Sequence, residues 1–184
     1  MMKPFKKHAL FIALIILLIC WTVFLLFIDP AEIVSFIGLE NTYLAAFLIA
    51  AFGGLSTITG TSFFIAIATF AAGGASPFLL GIFGGLGIFI SDTIFFMVAR
   101  RGVEEFSGSS GRISQFILKH IEKLPPSALY LFIYLYLGFS PLPNDILMIA
   151  LAFTGMSYKR LALVLLAGDI TIATMIAIFG KTVF

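Results

Sequence analysis

Gly138-Phe139-Ser140-Pro141-Leu142-Pro143-Asn144-Asp145 interrupts an apolar stretch that otherwise runs from Ala128 to Ser157. Prolines two apart cannot continue a helix, because each lacks an N–H donor and clashes with the turn before it. The stretch therefore reads as two half-length helices around a break, with one charge, Asp145. A second stretch, Tyr43–Gly74, has the same plan: 32 residues without a charge, interrupted by Gly53-Gly54-Leu55-Ser56-Thr57-Ile58-Thr59-Gly60-Thr61. As one straight helix it would be about 48 Å long, too long for a hydrocarbon core of about 30 Å. Broken backbone at membrane depth is tolerated only inside protein or along a wet cavity.

The composition places these breaks in a membrane. Of 184 residues, 61% are hydrophobic and 11% charged, with a mean hydropathy of +1.15. An average soluble domain carries about 25% charge, so this chain cannot cover a soluble surface. Soluble domain, disordered tail and nucleic-acid-binding module are excluded, and a net charge of +2 implies no polyanionic partner. A single cysteine, Cys20, excludes a disulfide framework, a CxxC pair and a structural zinc site. His8 and His120 lie beside lysines. No metal and no cofactor is expected.

Lys3, Lys6 and Lys7 precede an uncharged run, Ala9–Ile28, long enough to cross a bilayer. It ends in large residues, unlike a cleaved leader, so the first 28 residues are expected to form a retained transmembrane helix. In 29–42, Asp29-Pro30-Ala31-Glu32 has the makings of a capping box. It predicts a short interfacial helix ending near Gly38. Pro77–Ala99 and Leu161–Gly180 read as further spans, each with one aspartate, Asp92 and Asp169.

Topology decides how the broken stretches run. If both return to their own side, Lys3, Lys6, Lys7, Arg100, Arg101, Arg112, Lys119, Lys123, Lys159 and Arg160 share one side and only Lys181 lies on the other. The positive-inside rule favours that arrangement, with the N-terminus cytoplasmic and the protein in the cell (inner) membrane. If each stretch crosses once, the Arg100–Lys123 loop moves away from the N-terminal lysines. In the favoured arrangement, with both stretches returning to their own side, residues 100–127 form a cytoplasmic loop. In it, Ser107–Gly111 is a hinge, and the segment from Arg112 is an amphipathic helix for the inner leaflet or the bundle.

The two broken stretches match at an offset of 84: Gly54, Ser56, Ile65, Ala66 and Ala68 against Gly138, Ser140, Ile149, Ala150 and Ala152. Each is followed by a span holding an aspartate. The expected fold is an all-α integral membrane protein with an extra N-terminal transmembrane helix. Its core is an inverted repeat, 43–99 and 128–184, each unit a re-entrant helical hairpin plus a transmembrane helix. Two half-hairpins meeting near the midplane is the plan of many secondary transporters.

A broken hairpin, an apolar arm and then Ser91-Asp92-Thr93-Ile94-Phe95-Phe96-Met97-Val98-Ala99-Arg100-Arg101-Gly102 resembles the DedA family, also called the VTT or SNARE-associated membrane domain. Its members often carry Gly-Asp…Tyr…Gly-Arg at this point. Asp92 and Arg100 match, while Phe96 and Ala99 stand for the Tyr and Gly. The resemblance covers the chain from about Tyr43 onward. It implies a mover of membrane lipid, a flippase or scramblase for phospholipid or polyprenyl phosphate, in some members linked to protons. The chain departs from the family at the turn of the first hairpin, Thr59-Gly60-Thr61, which has no acid. It departs again at Gly138–Asp145, which has no arginine.

The residues expected to carry substrate or protons are Asp145, Asn144, Asp92 and Asp169. Charges at membrane depth cost about 2.5–3.5 kcal/mol on insertion scales, so they mark function by default. Asp145, read as sitting in the break, ranks first; its structural role would be to cap the second arm. Asp92 and Asp169 are read as equivalent in the two repeats, each bonded to the opposing hairpin. Ser56, Thr59, Gly60, Thr61, Pro141 and Pro143 form the hairpin breaks, their hydroxyls lining a path or satisfying unwound backbone. Arg100 and Arg101 are candidates for a phosphate contact, although snorkelling at a span end also explains them. The partners expected are membrane lipids and protons, with no nucleic acid, and a second copy in a homo-oligomer. A proton-coupled exporter of a small ion or solute is the rival function. The sequence has no GxGD, HExxH, GxSxG or Walker motif, so no enzyme is expected.

Overall fold

The computed structural model describes residues 30–53, 57–106, 125–140, 144–154 and 156–183. They form seven helices and, among the described residues, no strand: α1 (Pro30–Ile37), α2 (Leu39–Gly53), α3 (Thr57–Ala72), α4 (Pro77–Phe106), α5 (Pro126–Phe139), α6 (Asn144–Phe153) and α7 (Tyr158–Val183). Pro77–Gly102 and Tyr158–Val183 are long and apolar enough to cross a membrane. The pair Ala31–Ile37 and Leu39–Gly53, bent by 94°, would make a third if it counts as one span. The fold is that of an all-α membrane protein. The expected helix Ala9–Ile28, the hinge Ser107–Gly111 and the amphipathic segment from Arg112 lie outside the described residues.

Local chemistry sets the ends of these helices. Gly38 has φ +86°, a value that favours glycine, and there the chain leaves α1 for α2. Gly74, at φ +99°, closes α3 with paired bonds from Ala75 N–H to Phe70 C=O (3.0 Å) and Gly74 N–H to Ala71 C=O (3.1 Å), a Schellman motif. Pro77 then opens α4 and Pro126 opens α5, at first-turn positions where a missing N–H leaves no bond unmade.

α4 and α7 pack antiparallel as the centre of the molecule. A Cβ on Gly81 would run into the Thr174 side chain, and one on Gly85 would come within 2.6 Å of the Ile170 Cα. Farther along, the Phe96 and Tyr158 rings lie 5.9 Å apart and the Thr93 and Tyr158 hydroxyls share a 2.6 Å hydrogen bond. Small residues that let two backbones approach are the usual means of joining helices in lipid, where apolar burial gives no advantage.

The hairpins lean on this pair in a repeated manner. The first arm of each packs on the long helix that follows it, α2 on α4 and α5 on α7. The second arm of each packs on the other long helix, α3 on α7 and α6 on α4. Tyr43, early in α2, accepts a hydrogen bond from the Ser76 N–H at the start of α4 (3.0 Å), so the first hairpin enters and leaves at the Pro77 end. Its α2 arm reaches Gly87, where a Cβ would strike the Phe47 carbonyl and come within 2.5 Å of the Ala50 Cβ. The second hairpin belongs to the opposite end. Its α6 arm starts beside Asp92, and beyond it the Met156 carbonyl accepts a 2.8 Å hydrogen bond from Arg100. Two apolar cores follow this division. One holds Phe63, Ile67 and Phe70 with Ala173 and Ala177; the other holds Ile133, Leu137 and Met148 with Phe96, Leu161 and Leu165.

Several boundaries differ from those expected. α2 begins at Leu39 instead of Tyr43, because Gly38 turns the chain straight from one helix into the next. The helix α4 continues through Arg100 and Arg101 to Phe106, since nothing in that sequence breaks a helix. Thr59, Gly60 and Thr61 lie in the backbone of α3, and Asn144 and Asp145 in the first turn of α6, so none of them belongs to a break. Threonine, asparagine and aspartate suit the first turn of a helix. The offset of 84 is not a structural register. The second arms start at Thr57 and Asn144, 87 apart, and the long helices at Pro77 and Tyr158, 81 apart. Asp92 is thus the sixteenth residue of α4 and Asp169 the twelfth of α7, one turn out of equivalence.

Candidate functional site

The polar residues of the interior gather where the hairpins end. Helical period assigns their directions. On α4, Gly84 meets Phe63 and Ile67 of α3, and Gly87 meets α2. Ser91 lies one turn beyond Gly87, on the same face, toward the first hairpin. Asp92, next in sequence, belongs to the stripe of Gly81 and Gly85 that meets α7, and it also receives α6: the Asn144 Nδ2 donates to its Oδ2 at 3.0 Å. On α7, Gly168 meets Leu137 and Gly138 of the second hairpin. Asp169 starts a stripe with Ala173, Ala177 and Gly180, and Gly180 meets the Ala68 backbone of α3. Consecutive residues on each long helix, Ser91-Asp92 and Gly168-Asp169, thereby face both hairpins.

These groups are buried. Asp169 and Ser91 are 0% exposed and Asp92 2%. Asp169 lies within electrostatic reach of Asp92, and Asp92 within that of Asp145. Among the described residues, neither carboxyl oxygen of Asp169 nor the Ser91 Oγ has a hydrogen-bond partner. A buried polar group left unmade costs about 1–3 kcal/mol, and more if charged. No three acidic, histidine or cysteine side chains among the described residues converge closely enough to hold a metal ion. The arrangement offers acceptor oxygens in an apolar interior and is suited to taking a proton or a group that donates hydrogen bonds.

Of the residues expected from sequence, the structure brings together Asp92, Asn144, Asp145 and Asp169. Asp145 is half-buried, and the deepest carboxyls are Asp169 and Asp92, a different order from the one expected. Arg100 is engaged structurally: it bonds to Met156 and stands 6.0 Å over the Phe96 ring, tying α4 to the chain entering α7. Arg101 is exposed. Ser56, Pro141 and Pro143, and the side chains of Thr59 and Thr61, lie outside the described residues. Sequence reasoning missed Ser91 as a site residue. Its signal was present: a hydroxyl next to Asp92, four residues after a packing glycine.

No protein-family model, curated protein or solved structure matches this chain.

Proposed function

We propose that the protein is a membrane transporter of inverted-repeat design that moves lipid between leaflets, in the manner of the DedA family. The observation that carries the reading is the approach of two hairpins from opposite ends of the α4–α7 pair, with Asp92 bonded to Asn144 at the start of α6 and Asp169 buried on α7. In a bilayer such hairpins are re-entrant, and a polar locus between their tips is where a headgroup crosses while the acyl chains stay in lipid. Arg100, Arg101, Lys159 and Arg160 lie at one end of the pair and Lys181 at the other, which favours the first end as cytoplasmic. The reading is of a carrier without enzymatic chemistry.

The rival, a proton-coupled exporter of a small ion or solute, draws on the same unpartnered Asp169 carboxyl. Reconstitution in liposomes with an acyl-labelled phospholipid separates them. Lipid transport predicts loss of inner-leaflet protection faster than in empty liposomes, slowed in Asp92→Asn and Asp145→Asn. No exchange by folded protein, together with solute-dependent proton flux, would favour the exporter.

A further inference from the structure

The hydrogen-bonding character of the buried locus specifies its ligand more narrowly than lipid. Asp169 presents two acceptor oxygens and Ser91 one hydroxyl oxygen, all buried and unpartnered among the described residues. Asn144 spends one N–H of its amide on Asp92, which leaves its carbonyl oxygen and its second N–H for a ligand. The segments that carry these groups have no basic residue around them in sequence. There is no Lys, Arg or His from Gly38 to Ala99, from Pro125 to Ser157 or from Leu161 to Gly180. That range includes both hairpins with their breaks. Among the described residues, Arg100 and Arg101 lie toward the end of α4, Lys159 and Arg160 in the first turn of α7 and Lys181 in its last.

A phosphate group has acceptors only and a negative charge. Here it would meet carboxyl groups in a medium of low dielectric, with only the Ser91 hydroxyl and one Asn144 N–H to donate to it. An ammonium group has three donors, no acceptor and the opposite charge. Among the described residues no three acidic, histidine or cysteine side chains converge on a metal ion, and a donor-bearing cation matches the acceptors present. On the reading of the protein as a lipid transporter, we propose that the locus formed by Asp169, Ser91, Asp92 and Asn144 binds an ammonium group, so that amine-bearing headgroups are its substrates and purely anionic ones are not. The source of the ammonium is a lipid headgroup or a free amine, and one experiment separates the two.

Full-length protein in detergent is titrated with short-chain phosphatidylethanolamine, short-chain phosphatidylglycerol and ethanolamine while thermal stability is followed. In parallel, acyl-labelled phosphatidylethanolamine and phosphatidylglycerol are compared for leaflet exchange in liposomes. Saturable protection by phosphatidylethanolamine and not phosphatidylglycerol is expected. Protection should weaken about tenfold in Asp169→Asn, as for one charge-assisted hydrogen bond, and less in Ser91→Ala, which also serves if Asp169→Asn fails to fold. Protection by ethanolamine but neither lipid supports the site with a free amine as ligand. Selective protection without exchange of either lipid keeps the ammonium site and overturns the lipid-transport reading. Equal protection by both lipids, preference for phosphatidylglycerol, or no protection at all overturns the ammonium site, and exchange of both lipids at one rate then leaves the transport reading standing.

Discussion

At its tightest contacts the first hairpin meets the long helices through backbone, whereas the second meets them through side chains. Gly87 and Gly180 bring α4 and α7 against the main chain of α2 and α3, at the Phe47 carbonyl and at Ala68. The entrance is closed by the bond from Ser76 to Tyr43, and α1 packs on both arms. In the second hairpin, Gly168 meets the Leu137 side chain and Gly138 the Thr171 side chain. Its tip is held to α4 by the Asn144–Asp92 hydrogen bond and by Met148, a flexible filler, in a core with Phe96. Its second arm has 10 residues against 16 in the first hairpin. Close-packed backbone cannot yield to a change of shape, whereas side chains have rotamers to move into. The same architecture therefore provides one rigid half and one adjustable half.

Substitution at the glycines tests that contrast most severely. Gly87→Val forces branched carbon into the Phe47 carbonyl and the Ala50 Cβ, and thermal unfolding in detergent should show a loss of about 3 kcal/mol, the upper range for overpacking. A loss below about 1 kcal/mol would mean that α2 can move, and the first hairpin would no longer count as rigid. Asp92→Ala comes next. It strands the Asn144 amide and should cost about 1–3 kcal/mol by the same assay, with about half restored in Asp92→Asn, which keeps a partner for it. Equal stability of the alanine variant and the parent would show that the second tip does not depend on this bond. Gly138→Ala should be mildest, about 1 kcal/mol, because a Cβ there comes no closer than 3.3 Å to the Thr171 Cγ2, which can turn away. If it proves as harmful as Gly87→Val, the distinction between the halves collapses.

The sequence carried the large-scale plan because charge and helix breakers are visible in it. The Pro141–Pro143 pair, the long uncharged stretches and the lone aspartates announced two broken segments beside two long helices. Helix ends were legible at Gly38, Gly74 and Pro77, where backbone chemistry is local. Register was not legible. Five identities at one offset hid two different spacings, because apolar segments share composition and the repeat arms differ in length. Nor could the sequence rank the acids. Asp145 looked central by its place next to the prolines, yet burial depends on which helix face meets which neighbour, and that put Asp169 and Asp92 deeper. Ser91 was hidden for the same reason: its role comes from Gly87, one turn away, meeting the first hairpin.

The central claim is that the two hairpins enter from opposite faces of one membrane and that neither crosses it. It is tested by single cysteines at the exposed positions Glu40, Lys181, Ser127 and Ser157, in a Cys20→Ser background, labelled in intact cells with a membrane-impermeant maleimide. Glu40→Cys and Lys181→Cys should label together from outside, while Ser127→Cys and Ser157→Cys should react only after permeabilisation. Labelling of Glu40→Cys and Lys181→Cys from opposite sides, or of Ser127→Cys and Ser157→Cys from opposite sides, would mean that a hairpin crosses the bilayer and would contradict the account.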